Sequence, residues 1–250
     1  MTCIVLAAGY ATRLYPLTEN FPKALLDVSG KTILDRLLDD VNTLDEITQH
    51  IVVSNHKYIE HFQNWAEGTP FSVTVLDNGT TTNETRLGAV KDLWFAVGQL
   101  EQEDDLLVLA GDNLLDFTLA GFLSYAKKKK TSCIMRYHEK YMENLKKGGV
   151  LSVDENDRVT EMHEKPEYPK SNWRAPPFYI LTRDDAKRIP KAIADGCEID
   201  APGSFIAWLS KHTNIHAMQM PGERFDIGDI RSYMQIQSTG AINRHRNHTC

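Results

Sequence analysis

The stretch Ile4-Val-Leu-Ala-Ala-Gly-Tyr-Ala-Thr-Arg-Leu-Tyr-Pro-Leu-Thr-Glu-Asn-Phe-Pro-Lys-Ala-Leu-Leu26 decides how this chain is read. Its first part, residues 4–8, is a short continuous apolar run, which suits a strand buried on both faces of a parallel sheet. Gly9 ends the run, and Thr12, Arg13 and, just after Pro22, Lys23 follow. A strand that empties into a glycine turn presents backbone N–H groups, and two nearby cations make such a bend a site for phosphate oxygens. Arg13 can grip two oxygens at once, and Lys23 supplies a point charge. The competing reading is an edge strand, a loop and two solvated cations.

Working outward, residues 32–44 carry Ile33, Leu37, Leu38 and Val41 on one helical face. Residues 51–54 read as a second buried strand, 58–65 as a helix ended by Gly68-Thr69-Pro70, and 71–76 as a third strand. Alternating strand and helix predicts right-handed βαβ units and a parallel sheet. A polar loop at 77–84 leads to a helix through about residue 97. The run 106–110 is the most apolar strand of the chain and ends in Gly111-Asp112-Asn113. Ligands of open α/β sheets collect at the carboxyl ends of strands, which puts Asp112 at a site mouth.

Further on, 131–137 reads as a strand, and a hairpin starts at Lys147-Gly148-Gly149-Val150, turns at 154–157 and returns over 158–163. It ends in Glu164-Lys165-Pro166. A helix over 184–194 is interrupted by Pro190, another over 204–211 takes Ser204 as its cap, and 215–220 is the last strand. Asp226 and Asp229 precede a helix to about residue 242, with Asp229 as its cap. Residues 243–250 form a polar tail whose His245 and His248 read as solvated rather than metal-binding.

Composition excludes some classes. In 250 residues, 42% are hydrophobic and 25% charged, ordinary for a globular protein. A net charge of −6 argues against a nucleic-acid-binding surface. The run 127–130 is four lysines at the end of an apolar helical pattern, suited to capping the negative helix end. The four cysteines form no C-x-x-C pair, and Cys3 and Cys133 sit in apolar runs as buried thiols. No apolar run approaches membrane-span length and no leader pattern opens the chain, so a cytoplasmic protein without membrane partners is expected.

The stretch from Leu6 to Thr18, with Pro22-Lys23, resembles the N-terminal signature of the sugar-1-phosphate nucleotidyltransferases. The series Gly149-Val-Leu-Ser-Val-Asp154, Glu164-Lys-Pro166 and Pro169-Lys-Ser-Asn172 is similar to the glucose-1-phosphate thymidylyltransferases among them. The resemblance runs over residues 4–240. It implies an α/β fold, a single-domain three-layer Rossmann-like (GT-A-like) architecture over 1–250 with a mixed, mainly parallel sheet and helices on both faces. It implies transfer of a nucleoside monophosphate from a triphosphate to a sugar-1-phosphate, with Mg²⁺ as cofactor and pyrophosphate released. The nucleotide would meet Leu6, Ala8, Gly9, Thr12, Arg13, Lys23, Asn83 and Gly88, with Arg13 and Lys23 catalytic. The phosphorylated acceptor would meet Asn113, Gly149, Glu164 and Lys165, and the metal Asp112 and Asp226. A homo-oligomer is compatible with this reading.

Two departures stand out. Ala11 replaces the family's second glycine, and if that position needs a positive φ, alanine costs about 1 kcal/mol. Arg174-Ala-Pro-Pro177 replaces a small, glycine-containing segment that lines the sugar, which leaves the acceptor open. Arg86 has no assigned role. The alternative that stays in view is a cytidylyltransferase acting on phosphocholine or another small phosphate ester. A glycosyltransferase would want an Asp-x-Asp motif after the 106–110 strand, a dehydrogenase a G-x-G-x-x-G, and neither is present. A non-catalytic sensor is disfavoured by the intact Arg13, Lys23, Asp112, Lys165 and Asp226.

Overall fold

The computed structural model describes residues 1–239. The chain begins with β1 (Thr2–Leu6), β2 (Asp27–Val28), β3 (Lys31–Thr32), α1 (Ile33–Val41), β4 (Gln49–Ser54), α2 (Ile59–Gly68) and β5 (Val73–Asp77). It continues through α3 (Ala89–Val97), β6 (Leu106–Ala110), β7 (Asn113–Leu115), α4 (Ala120–Lys129), β8 (Ser132–His138), α5 (Met142–Leu145), β9 (Gly149–Val153) and β10 (Val159–Glu164). The rest is β11 (Trp173–Ala175), β12 (Phe178–Leu181), α6 (Arg183–Ala186), α7 (Ile189–Ala194), α8 (Pro202–Leu209), β13 (Ile215–Gln219), β14 (Arg224–Asp226) and α9 (Ile230–Thr239). This is the α/β class; the sheet is mixed, as the resemblance implies, where the alternating pattern alone predicts a parallel one.

The chain folds as two compact units. The first takes residues 1–4, 87–109 and 120–220; the second takes 5–86, 110–119 and 221–250, of which the structure describes the part to 239. In the first unit the strands run β10-β9-β11-β8-β12-β6, with β13 on β8. Here β13 pairs parallel with β8, while β12, β11, β9 and β10 pair antiparallel with their neighbours. Residues 106–109 of β6 are at most 1% exposed, so this strand is buried on both faces.

In the second unit β4 and β5 pair parallel, His50 to Ser54 matching Val73 to Asp77. Helix α1 forms where Thr32 accepts from Asp35 N and the Asp35 carboxylate accepts from Thr32 N, a reciprocal cap. Its buried face is Ile33, Leu34, Leu37, Leu38 and Val41, four of which the periodicity predicts. Leu14, Leu26, Val28, Ile33, Leu114, Ile227 and Ile236 close into one apolar cluster, so residues far apart in sequence share a core beneath the first bend.

Several local expectations shift. Helix α8 starts at Pro202, not Ser204, with Ala201 at the cap and no side-chain cap bond. Proline suits that first turn because its missing N–H would go unused there. The 184–194 pattern splits into α6 and α7, with Pro190 in the first turn of α7. Asp229 does cap α9, accepting from Ser232 N at 2.8 Å. The lysine run ends α4 with Lys127, Lys128 and Lys129 in its last turn, and Cys3 and Cys133 are buried. Missed by the sequence pattern are the short pairs β2–β3 and β7–β14. The end of the helix expected to about residue 242 and the tail with His245 and His248 lie outside the described residues. No helix of the described residues is long and apolar enough to cross a membrane.

Ala11 has φ 47° and ψ 41°, in the left-handed region. The bend therefore makes the demand that a glycine meets without strain. A left-handed alanine costs about 1–2 kcal/mol, while glycine gives back roughly 0.4–1 kcal/mol through its freer unfolded chain. Ala11→Gly is expected to raise the thermal unfolding midpoint by about 1–3 °C. A lower midpoint in calorimetry would show that the bend is not strained.

Candidate active site

The second unit carries the charged array. The carbonyl of Leu6 accepts from Gly111 N at 3.0 Å, and the carbonyl of Ala8 accepts from Asn55 Nδ2 at 2.9 Å. Asn55 is fully buried, so its amide pins the end of β1 from below. Beyond it, Tyr10 Oη donates to Thr80 at 3.1 Å and the buried Thr18 donates to the Ala11 carbonyl at 2.8 Å. These bonds fix a bend whose next residues, Thr12 and Arg13, form a short 3-10 turn with both side chains outward. A Cβ built on Gly9 would meet no protein atom within 4 Å, so the backbone there stands open.

Lys23 opens a second 3-10 turn, Lys23–Leu25, behind Pro22. Its ammonium reaches the Asp112 carboxylate at 2.8 Å, although 89 residues separate the two. Asn113 Nδ2 donates to the other Asp112 oxygen at 2.6 Å. The Asn113 side-chain oxygen accepts in turn from Arg224 Nη1. Arg224 Nη1 also lies 3.8 Å from Asp226 Oδ2.

The strand pair β7–β14 makes this possible: Asn113 sits opposite Asp226, and Ile227 N donates to the Asp112 carbonyl at 3.3 Å. Asp112 thus directly precedes the ribbon's first strand and Asp226 ends its second, with Arg224 on the same strand as Asp226. Burial pushes the Asp112 carboxyl up, but the charge and hydrogen bond of Lys23, with Arg224 behind, outweigh it and hold Asp112 below its ordinary range. The Arg13 charge reaches Asp229, whose carboxyl is lowered chiefly by its bonds to Ser232.

Asn113 is 1% exposed and its amide is committed on both sides, to Asp112 and to Arg224. What the structure gives it is the holding of Asp112. Asn83 lies in a 3-10 turn, Asn83–Thr85, capped by Thr82 and Thr85. Arg86 donates to the Asn83 carbonyl at 2.9 Å, which gives that arginine a local role. Arg224 was missed by sequence reading. The signal was its spacing: two residues before Asp226 on a strand, it shares a face with it.

The first unit carries the other set. Gly149 and Glu164 are direct partners across β9–β10, and Lys165 N donates to the Gly148 carbonyl at 3.1 Å. Lys165 has φ 45°, a left-handed turn directly after the strand, and its ammonium lies 3.6 Å from Asp200. Burial pushes the Glu164 carboxyl up from 4.5 to about 7; Glu198 adds to this, and Lys165 and Arg174 oppose it. Gly88 has φ 88°, and a Cβ there would lie 2.6 Å from the Ile199 carbonyl oxygen, so only glycine fits this turn. Arg174 lies over Gly148, where a Cβ would come within 2.8 Å of its Nε and Nη2.

The donor set decides what ion could be held. Among the described residues no three His, Cys, Asp or Glu side chains cluster as a metal cage. Two carboxylates at one ribbon suit Mg²⁺, which keeps water and phosphate oxygens in its shell and does not need an all-protein cage. The residues therefore fit that ion.

The model of the family described as nucleotidyl transferase matches residues 2–241. Over 241 residues the chain is 27% identical to the UTP–glucose-1-phosphate uridylyltransferase AglF of Haloferax volcanii, covering 91% of each chain. It is 32% identical over 232 residues to the bifunctional protein GlmU of Methanocaldococcus jannaschii, with 91% of this chain but only 51% of that relative covered. The crystal structure of a UDP-glucose pyrophosphorylase complexed with UDP-glucose superposes with a TM-score of 0.80 at 20% identity, over 97% of this chain and 99% of that one. That last likeness shows the fold. The family match, spanning almost the whole sequence, shows that the chain belongs to the nucleotidyl transferase family.

Proposed function

We propose that the protein transfers a nucleoside monophosphate from a nucleoside triphosphate to a sugar-1-phosphate, forming an NDP-sugar and pyrophosphate. The observation that carries this is the Lys23–Asp112 ion pair, formed where Asp112 leads into the strand that pairs with the one ending at Asp226. A relative covering the same length acts, by its name, on UTP and glucose-1-phosphate. In this reading residues 1–250 act as one nucleotidyltransferase domain. Its substrates are multiply charged and do not cross membranes unaided, which argues for a cytoplasmic enzyme.

The reaction is an in-line attack of an acceptor phosphate oxygen on the α-phosphate. A phosphate monoester is already ionised near neutral pH, so no general base is required. The rate gain then comes from bringing two anions together and from stabilising charge on the α-phosphate and the leaving pyrophosphate. Arg13 and Lys23 serve the triphosphate, with Leu6, Ala8, Gly9 and Thr12 giving backbone and hydroxyl contacts, and Asn83 and Gly88 meeting the base. Asp112 and Asp226 would hold Mg²⁺, which when bound neutralises phosphate charge. Lys165 takes the acceptor phosphate, and Glu164, beside Gly149, meets the sugar hydroxyls. Asn113 serves the acceptor side only through Asp112.

A pyrophosphate-release panel of five nucleoside triphosphates against sugar-1-phosphates and phosphocholine tests this. Turnover is expected with sugar-1-phosphates; turnover with phosphocholine alone would replace the acceptor, and silence across the grid would overturn the function. Arg13→Ala is expected to lower kcat about 10²–10³-fold with a much smaller loss of nucleotide affinity. Equal losses in both would remove its transition-state role.

Glu164 gives a pH prediction. Its carboxyl is raised in the folded state, so the fold binds its proton more tightly than the unfolded chain does. The neutral form costs nothing at low pH, and a destabilising contribution grows as pH rises from about 4.5 to about 7. Glu164→Gln should match wild-type stability at pH 4 and exceed it by roughly 2–3 kcal/mol at pH 8. Denaturant titrations at the two pH values check this; equal differences at both would show that Glu164 ionises normally.

A further inference from the structure

Glycine inside a helix is a liability, because it adds backbone freedom to the unfolded chain and contributes no packing. Gly203 occupies the first turn of α8 all the same. Its backbone is not in the left-handed region, so conformation does not call for glycine there. What does is space. A Cβ on Gly203 would lie 2.1 Å from Glu164 Oε2 and 3.0 Å from its Cδ, with Tyr179 Oη at 3.5 Å. On the other side, a Cβ on Gly149 would lie 3.2 Å from the same Glu164 oxygen. The Glu164 carboxyl is therefore held between two glycines, one on the neighbouring strand and one on a helix 39 residues further along.

The chain just before Gly203 reaches the other residues of this set. Val90 N donates to the Ile199 carbonyl at 3.0 Å, and Ile199 is the residue that excludes a side chain from Gly88. Asp200 lies 3.6 Å from the Lys165 ammonium. One short segment, 199–203, thus touches Gly88, Lys165 and Glu164.

We propose that Gly203 is a positioning residue for the acceptor: the room left by its missing side chain sets where the Glu164 carboxyl points, and so how the acceptor's hydroxyls are met. The proposal rests on the acceptor role given to Glu164 above. It makes Gly203 act through Glu164 and on nothing else in the reaction. Alanine at 203 would displace the carboxyl from its present position, because a Cβ 2.1 Å from Oε2 cannot share that space with it.

The test uses the full chain with UTP and glucose-1-phosphate, reading pyrophosphate release and thermal unfolding for Gly203→Ala, Glu164→Ala and the double variant. Gly203→Ala is expected to raise KM for glucose-1-phosphate about tenfold or more and to leave KM for UTP near wild type. In the Glu164→Ala background the same change should cost nothing further, since the clash has been removed. An unchanged acceptor KM in Gly203→Ala, or a loss that adds in full to that of Glu164→Ala, overturns the proposal. If Gly203→Ala fails to fold while the double variant folds, the interlock with Glu164 is supported; if both fail, it is overturned. A wild-type protein inactive on every sugar phosphate would overturn the proposed function instead, and the unfolding cycle would still report separately on the interlock.

Discussion

The Lys23–Asp112 ion pair is the contact on which the charged half of the molecule depends. It joins the loop after the first strand to the turn after β6, and Asn113 holds the second Asp112 oxygen. The Lys23 side chain is only 13% exposed. Removing an ammonium this far from water is costly, and the attraction it gains typically does little more than offset that cost. Stability alone is therefore a poor reason for the pair. In the proposed function its value would lie in placing a cation and an anion at a fixed spacing, where a polyphosphate would bring more anions and a divalent ion more positive charge.

The support around this pair follows the same logic. A carboxylate beside a lysine can rotate toward it and lose its aim. Asn113 prevents this by donating to the second Asp112 oxygen, and Arg224 prevents Asn113 from turning by holding its carbonyl. The amide orientation is thus dictated by a donor on one side and an acceptor on the other. Arg224 also sits near Asp226, so the second carboxylate is added without leaving the ribbon with a bare excess of negative charge.

Much of this was legible in the sequence. The apolar run before Gly9 and the run at 106–110 announce buried strands because no other element tolerates such short, two-sided hydrophobicity at that length. The cations and carboxylates were identifiable as site candidates one at a time. Their mutual arrangement was not. The ribbon β7–β14 joins two three-residue strands more than a hundred residues apart, too short for any alternation to register. Arg224 was invisible for that reason: its meaning comes only from its partner strand. Ser204 misled in a different way, since its hydroxyl suits a cap, while Pro202, whose missing N–H goes unused in a first turn, opens the helix ahead of it.

Glycine shows best where sequence reasoning reaches its limit. Gly88, Gly149 and Gly203 look alike as letters, yet each is glycine for its own reason. Gly88 combines a positive φ with a carbonyl 2.6 Å from where its Cβ would be. Gly149 faces Met162 and Glu164 across a strand pair. Gly203 has a backbone outside the left-handed region, and what a Cβ there would meet is a side chain from elsewhere, the Glu164 carboxyl. Ala11 is the converse, a residue with a Cβ in a conformation that favours having none. The first kind can be anticipated from turn chemistry; the others depend on which atoms the fold brings against the backbone. A helical glycine does not by itself announce such a visitor: a Cβ on Gly68 of α2 would meet nothing within 4 Å and one on Gly121 of α4 only Met218 at 3.7 Å, whereas at Gly203 the fold brings the carboxylate of Glu164 to 2.1 Å.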